Sequence, residues 1–415
     1  MELSREQIWA PLRIRAFRRL FIGQALSDFA NWIDFVALSA LIVYTWGYGS
    51  MAIALLSVCI GVPWVVVGPL MSVRAGRLSG KKVLVVCDCL RAVIVLGMVW
   101  APSLPVLLLL VFLKMCVSAV FDPVRQTAVK RLVEPGAMAQ ASSLSQMSVN
   151  LTKIIGPMAG GALIGWIGEW TPFLIGAVLY AVSASVLSGM PEWTNKDETI
   201  IKEKSSLREA WTHIARRPVL KAAIVYAAII FFLIFLYDGL FVMLTKEAGM
   251  NEAHFGLLIG AVGAGSVAGA LAAGQWSGWK HKPLTHMISA GFVSGILIAV
   301  AGLGPAGWLP NTLWLWIPLC IMLGFCGAQS ATPFGYILQT ESTDDTIGPI
   351  SALSNSLQTV SMLIAPVLGA LAAAWVGTGW VFIFAGAAMV CLAAVYRLAV
   401  VGVKERGKET PVSVS

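Results

Sequence analysis

From Phe17 to Thr45 the chain reads FRRLFIGQALSDFANWIDFVALSALIVYT. This apolar run is long enough to cross a bilayer, which takes about 20 residues at about 1.5 Å each. It nevertheless carries Gln24, Ser27, Asp28, Asn31 and Asp34. On a helix turning about 100° per residue these five fall within an arc of about 120°, and the rest of the circumference is almost wholly apolar. A carboxylate facing lipid is costly, so the stripe is expected to face other helices or a water-filled cavity. One helix with a wet side implies a bundle built around that side.

Apolar runs of spanning length recur along the whole chain. Of its 415 residues, 58% are hydrophobic and 12% charged, whereas a soluble domain carries about 25% charged residues. Mean hydropathy is +0.81. The basic N-terminus (Arg5, Arg13, Arg15, Arg18, Arg19) leads into a full-length span, unlike a cleavable signal peptide. The chain therefore reads as an all-α, polytopic membrane protein. Its seven cysteines sit in apolar runs and read as small buried hydrophobes. Cys87 and Cys89 fall on different helix faces, which disfavours a metal site.

The net charge of +8 is distributed by loop. Basic residues gather at the N-terminus, Arg74 to Lys82, Arg125 to Arg131, Lys196 to Lys221, Lys280 with Lys282, and the C-terminal tail, while the intervening loops contribute only Lys246. This is the positive-inside bias, and it places both termini and the long middle loop in the cytoplasm. Anionic lipid headgroups, not nucleic acid, are the expected partner of the excess.

About twelve spans are predicted, at 17–45, 50–73, 83–100, 104–121, 138–166, 170–189, 219–245, 252–275, 284–303, 311–335, 350–376 and 378–400. A polar stretch from Pro191 to Pro218 divides them into six and six, and Ser206 to Arg217 within it reads as an amphipathic helix. The expected organisation is an N-terminal six-helix half over 1–190, a cytoplasmic linker over 191–218, and a C-terminal half with a short tail over 219–415. The halves also repeat. SLSQMSVNLTKIIGPMAG at Ser143–Gly160 matches ALSNSLQTVSMLIAPVLG at Ala352–Gly369 without a gap at Leu144/Leu353, Ser145/Ser354, Ile155/Ile364, Pro157/Pro366 and Gly160/Gly369. Both are preceded by a proline expected at a span end, Pro123 and Pro333. Parallel duplication of a six-span unit is a transporter plan, with substrate held near the bilayer midplane between the halves.

Three stretches carry a resemblance to the major facilitator superfamily over essentially the full chain. They are GPLMSVRAGRLSGKK at Gly68–Lys82, FDPVRQTAVKRLVEP at Phe121–Pro135, and Gly156-Pro157-Met158-Ala159-Gly160-Gly161. The chain most resembles the drug–proton antiporter branch that includes macrolide-efflux and enterobactin-export proteins. The resemblance implies twelve helices in two pseudo-symmetric halves, and proton-coupled export of amphipathic small molecules in a bacterial inner membrane by a monomer without cofactor. In the loop motif Arg77, Gly80, Lys81 and Lys82 fit the family pattern. Ser72 and Gly76 stand where the family usually has Gly and Asp, and that Asp is thought to form a charge latch. Ser143 and Thr152 stand where earlier glycines of the antiporter motif are expected.

Charges inside the predicted spans are Asp28, Asp34, Asp88, Arg91, Lys114, Lys153 and Asp238. Counted along the helices, Asp28, Lys114 and Lys153 lie near mid-depth, and Asp34 and Asp238 nearer the outer side. A proton-driven carrier needs a carboxylate that can lose and regain its proton. Asp28 is the first candidate for proton coupling, Asp34 the second, and Asp238 a further one. The alternative for Asp28 is a permanent ion pair with Lys114 or Lys153. Those lysines either neutralise the acids or line a cavity for an anionic substrate. Gln24, Asn31, Trp32, Asn150 and Tyr237 are further cavity candidates. Asp88 and Arg91 stand three apart on one helix, a spacing suited to an intrahelical pair, with conformational latching as the second reading.

Gly156-Pro157 with Gly160 and Gly161 reads as a bend or close helix crossing. Gly260, Gly263, Gly265 and Gly269 read as small-residue helix packing, since no strand or ribose-binding acid accompanies them. The sequence offers no nucleophile–base pair, metal-ligand cluster or phosphate loop. An ion gradient is accordingly the expected energy source and an enzyme the least expected class. Two alternatives stay open: an exporter of an anionic metabolite such as a siderophore, and a non-transporting sensor or assembly factor on a transporter scaffold.

Overall fold

The computed structural model describes the backbone of residues 10–75, 79–134, 137–193, 207–310, 312–343 and 346–406. Side chains are described for these residues except 69–75, 139, 143, 146, 150, 207–210, 348 and 399–406. The expected roles of Arg77, of the altered positions Ser72 and Gly76, and of the Asn150 side chain fall outside this set.

Among the described residues the fold is all helix. The elements are α1 (Arg15–Ala40, continued by a π-helical turn Leu41–Thr45), α2 (Ser50–Ala75), α3 (Gly80–Met98), α4 (Leu104–Leu132), α5 (Met138–Trp166), α6 (Thr171–Ser188) and α7 (Leu207–Arg216). They continue as α8 (Pro218–Asp238), α9 (Phe241–Glu247), α10 (Glu252–Gln275), α11 (Pro283–Ala301), α12 (Leu313–Glu341), α13 (Ile347–Val376) and α14 (Thr378–Arg406). Among the described residues ten are long and apolar enough to cross a membrane. The charged α3 and the polar-started α5 complete twelve long helices. Proline opens α8 and α11 and lies in the first turn of α4 and α6, where a missing N–H costs nothing. At the tight connections Gly47 (φ 69°) and Gly377 (φ 92°) adopt backbone conformations that a side chain disfavours.

Several helices outrun their apolar stretches. α4 continues to Leu132, so Pro123 lies inside it, and Arg125 to Arg131 is helix rather than the expected loop. Pro333 likewise lies inside α12. Hydropathy marks where a helix leaves the hydrocarbon, not where its hydrogen bonding stops, and the polar turns after Pro123 still form i→i−4 bonds. Thr127 Oγ1 donates to the Pro123 carbonyl at 3.0 Å. The seventh predicted span instead breaks after Asp238, with α9 as a separate short helix.

The chain forms two compact units, one of residues 1–202 with 250–260, the other of 203–249 with 261–415. In the first, α1 packs on α5 and α6, α6 on α3, α3 on α4, and α4 on α2. In the second, α8 packs on α13 and α14, α14 on α11, and α11 on α12. α12 in turn crosses α10 so closely that a Cβ on Gly324 would lie 1.8 Å from the Val262 carbonyl oxygen. The order of partners is the same in both, as duplication requires.

The repeat glycines make the same contact. A Cβ on Gly160 would sit 3.1 Å from the carbonyl oxygen of Ile33 on α1, and one on Gly369 would sit 1.8 Å from that of Leu236 on α8. The helix ends match too, with donor and acceptor exchanged. Thr45 Oγ1 donates to Glu169 Oε2 (2.5 Å) in one unit, and Thr378 Oγ1 to Glu247 Oε1 (2.7 Å) in the other.

The amphipathic helix predicted over Ser206–Arg217 is α7. It buries Ile214, exposes Trp211, and places His213 Nε2 at 2.8 Å from the Glu341 carbonyl oxygen at the end of α12.

Candidate functional site

The polar stripe of α1 turns into its own unit. Gln24, Ser27 and Asp34 are buried, while Asp28 and Asn31 are part-exposed. Three charge clusters follow along its length, two made with α4 and one lying on α3.

At one end Asp28 pairs with Arg125 of α4, whose Nη1 lies 3.0 Å from Oδ2 and 3.1 Å from Oδ1. Arg125 also reaches Asp122 at 3.3 Å, one turn back on its own helix. One guanidinium therefore serves two carboxylates. The partner expected for Asp28 was Lys114 or Lys153. Neither is bonded to it, because the extension of α4 past Pro123 carries an arginine to the same level. A guanidinium offers a planar fork that a lysine cannot.

In the middle, Asp88 and Arg91 of α3 form the intrahelical pair that their spacing predicted, at 2.6 Å. Both are sealed from solvent. Ser27 Oγ donates to the Asp88 carboxylate (2.9 and 3.0 Å), and Ser183 Oγ of α6 approaches its Oδ2 at 2.6 Å. The guanidinium carbon of Arg91 lies 4.0 Å from the centroid of Phe121 and 5.1 Å from that of Tyr180. The hydroxyls meet the carboxylate's hydrogen-bonding capacity, whereas Arg91 Nε and Nη2 make no hydrogen bond among the described residues and the guanidinium rests on aromatic faces instead.

At the far end Asp34 faces Lys114 of α4. Nζ to Oδ2 is 3.0 Å, and neither side chain is more than 1% exposed. Asp34 Oδ1 has no hydrogen-bond partner, and a Cβ at Gly176 of α6 would stand 2.5 Å from it. Lys114 is closed off by this pair, so it does not present its ammonium to solvent.

Lys153 differs. It is exposed on α5, makes no ion pair among the described residues, and holds its ammonium 5.9 Å from the Trp32 ring centroid. Trp32 is part-buried and meets Phe35 edge-on at 5.8 Å. Gln24 Nε2 and Asn31 Oδ1 are buried without partners.

In the second unit the structure does not join Asp238 and Tyr237 to any charge cluster. Asp238, at the end of α8, is exposed and makes no ion pair among the described residues, while Tyr237 packs on Phe382 at 5.0 Å.

Of the motif residues, Gly80 lies under the Trp193 ring and donates its N–H to the Trp193 carbonyl at 2.9 Å. Lys82 makes an exposed pair with Glu192 at 3.7 Å, and Lys81 is part-exposed. Gly156 and Gly160 pack on α1 at Trp32 and Ile33. A Cβ on Gly161 would meet the Gly256 Cα of α10 at 2.6 Å, and Pro157 is buried between them in sequence. Among the described residues no cluster of three or more His, Cys, Asp or Glu could hold a metal ion.

Sequence reasoning missed Arg125, Asp122, Ser183 and Tyr180. Arg125 carried one usable signal: it stands three residues after Asp122, the i,i+3 spacing of an intrahelical pair. Ser183 and Tyr180 carried none, since one hydroxyl in an apolar helix looks like any other until its neighbour is known.

Comparison with known proteins agrees with this architecture. The Major Facilitator Superfamily model matches residues 20–366. The uncharacterized MFS-type transporter YfiS of Bacillus subtilis (strain 168) is 23% identical over 381 residues, 90% of each chain. Macrolide efflux protein A of Streptococcus pyogenes is 22% identical over 397 residues, 91% of this chain and 94% of that one. Enterobactin exporter EntS of Shigella flexneri is 25% identical over 228 residues, 54% of this chain and 52% of that one. Among solved structures, the nucleoside transporter NupG superposes with a TM-score of 0.72 at 12% identity, covering 92% of this chain and 98% of that one. With the two like-ordered units and a family match over most of its length, this multi-pass membrane protein belongs to the major facilitator superfamily of transporters.

Proposed function

We propose that the protein is a proton-coupled secondary transporter that exports amphipathic small molecules by alternating access. In this reading it is a monomer in the bacterial inner membrane, with both termini in the cytoplasm. The carrying observation is the Asp28–Arg125–Asp122 cluster, in which two carboxylates share one guanidinium and Asp28 stays 20% exposed. A carboxylate that shares its cation with a second acid and is not fully enclosed can take up and release a proton. The sealed Asp34–Lys114 pair is less able to do so without a rearrangement. The macrolide-efflux and enterobactin-exporter names of two relatives support outward transport of amphipathic cargo.

Export of an anionic metabolite is the second reading, and Lys153 is the observation that favours it. Lys114, closed on Asp34, lends it no support.

The test compares cells with and without the protein for accumulation of a broad panel of drugs and metabolites. At least one amphipathic compound is expected at lower level in cells that make the protein, with the difference abolished by a protonophore. Identical profiles would instead favour a sensor or assembly role.

A further inference from the structure

The charges inside the first unit settle their accounts almost completely. Asp34 is held by Lys114, Asp88 by Arg91 with two serine hydroxyls, and Asp28 and Asp122 by Arg125. Among the described residues Lys153 alone of these intramembrane charges makes no ion pair. No carboxylate of α1 is free to reach it, since each already faces a cation of α3 or α4, or, in the case of Asp28, shares one.

The position of Lys153 on α5 shows which way it points. Leu151 and Ile155 are 51% and 44% exposed and form an apolar outer stripe with Met147. Lys153 is two residues from each, so it projects about 200° around the helix from that stripe. Met158, seven residues from Leu151 on the same stripe, packs on Gly260 of α10, whereas Lys153 lies on the side of α5 that Gly156 and Gly160 turn toward α1. Beside it, one turn along, Gly156 brings α5 against α1 so closely that a Cβ there would lie 2.5 Å from the Trp32 Cβ. The Trp32 ring is therefore held at a fixed place beside the ammonium, braced edge-on by Phe35.

We propose that Lys153 and Trp32 form a recognition site for cargo bearing an aromatic ring and an acidic group, such as an aryl carboxylate or catecholate. The indole attracts the ammonium through its π-face but offers it no acceptor oxygen, so the three N–H donors stay available to an anion. A carboxylate would take a charge-assisted hydrogen bond from Lys153, and the cargo ring would lie against Trp32. Cationic cargo would meet the ammonium as a like charge. The proposal deepens the transport reading by naming the cargo's chemistry and rests on it for its biological meaning, but the binding it predicts is measured without transport.

The test uses the full-length protein in lipid nanodiscs with two radiolabelled probes of matched shape, 2-naphthylacetate and 2-naphthylethylammonium. The wild type is expected to bind the anion saturably and more tightly than the cation. K153Q should weaken the anion by about tenfold, as should W32A, while K153R stays within about threefold. Cation binding should not fall in K153Q, and a circular dichroism melt checks that each variant is folded. Absence of saturable anion binding by the wild type, or equal loss of both probes in K153Q, would overturn the site. Lys153-dependent anion binding by a protein that moves no cargo would uphold the site while removing the transport reading.

Discussion

Lys114 Nζ and Asp34 Oδ2 meet at 3.0 Å between α4 and α1, with both side chains almost wholly removed from solvent. Removing one partner of such a pair strands a buried charge, which costs about 3–5 kcal/mol, whereas replacing both with apolar residues is often near neutral. D34N and K114M are therefore each expected to lower the melting temperature in detergent markedly. The double variant D34L/K114M should recover most of the loss. Additive losses in the double variant would show that the two residues act independently.

The glycine contacts make a prediction of opposite signs. G369A places a methyl within bonding distance of the Leu236 carbonyl oxygen, so α13 must move away from α8. G327A on α12 meets nothing within 4 Å. The first should destabilise by several kcal/mol or abolish folding, while the second should be neutral or gain about 0.5–1 kcal/mol from the better helix former. Melting curves of the two variants side by side check this.

Around Asp88 the serine hydroxyls carry part of the compensation for a buried charge. S183A removes the contact at 2.6 Å to Asp88 Oδ2 and the bond to the Gly23 carbonyl. It should cost about 1–3 kcal/mol. S185A, which loses only a bond to its own helix at the Ala181 carbonyl, should stay within about 0.5 kcal/mol of wild type in the same melt.

Much of the fold was legible because the membrane imposes it. Spans follow from apolar length, and the repeat from Gly160/Gly369, whose shared contact with the first long helix of each unit explains why that glycine recurs. The Asp88–Arg91 pair was legible because one helix fixes both residues. Pairs between helices were not. The sequence pointed to Asp28 and to lysines at similar depth, but which cation reaches it depends on helix rotation and on α4 running past Pro123. A hydropathy profile carries neither. The charge of Lys153 was visible from the start, and its lack of a partner became visible only once the others had theirs.

Asp28 carries the central claim. The direct measurement is uptake of an identified cargo into proteoliposomes under an imposed pH gradient, alongside exchange of the same cargo with no gradient, for wild type and D28N. The account predicts gradient-driven accumulation by the wild type, and retention of exchange with loss of accumulation in D28N. Wild-type flux indifferent to the gradient, or D28N accumulating cargo as well as wild type, would contradict it.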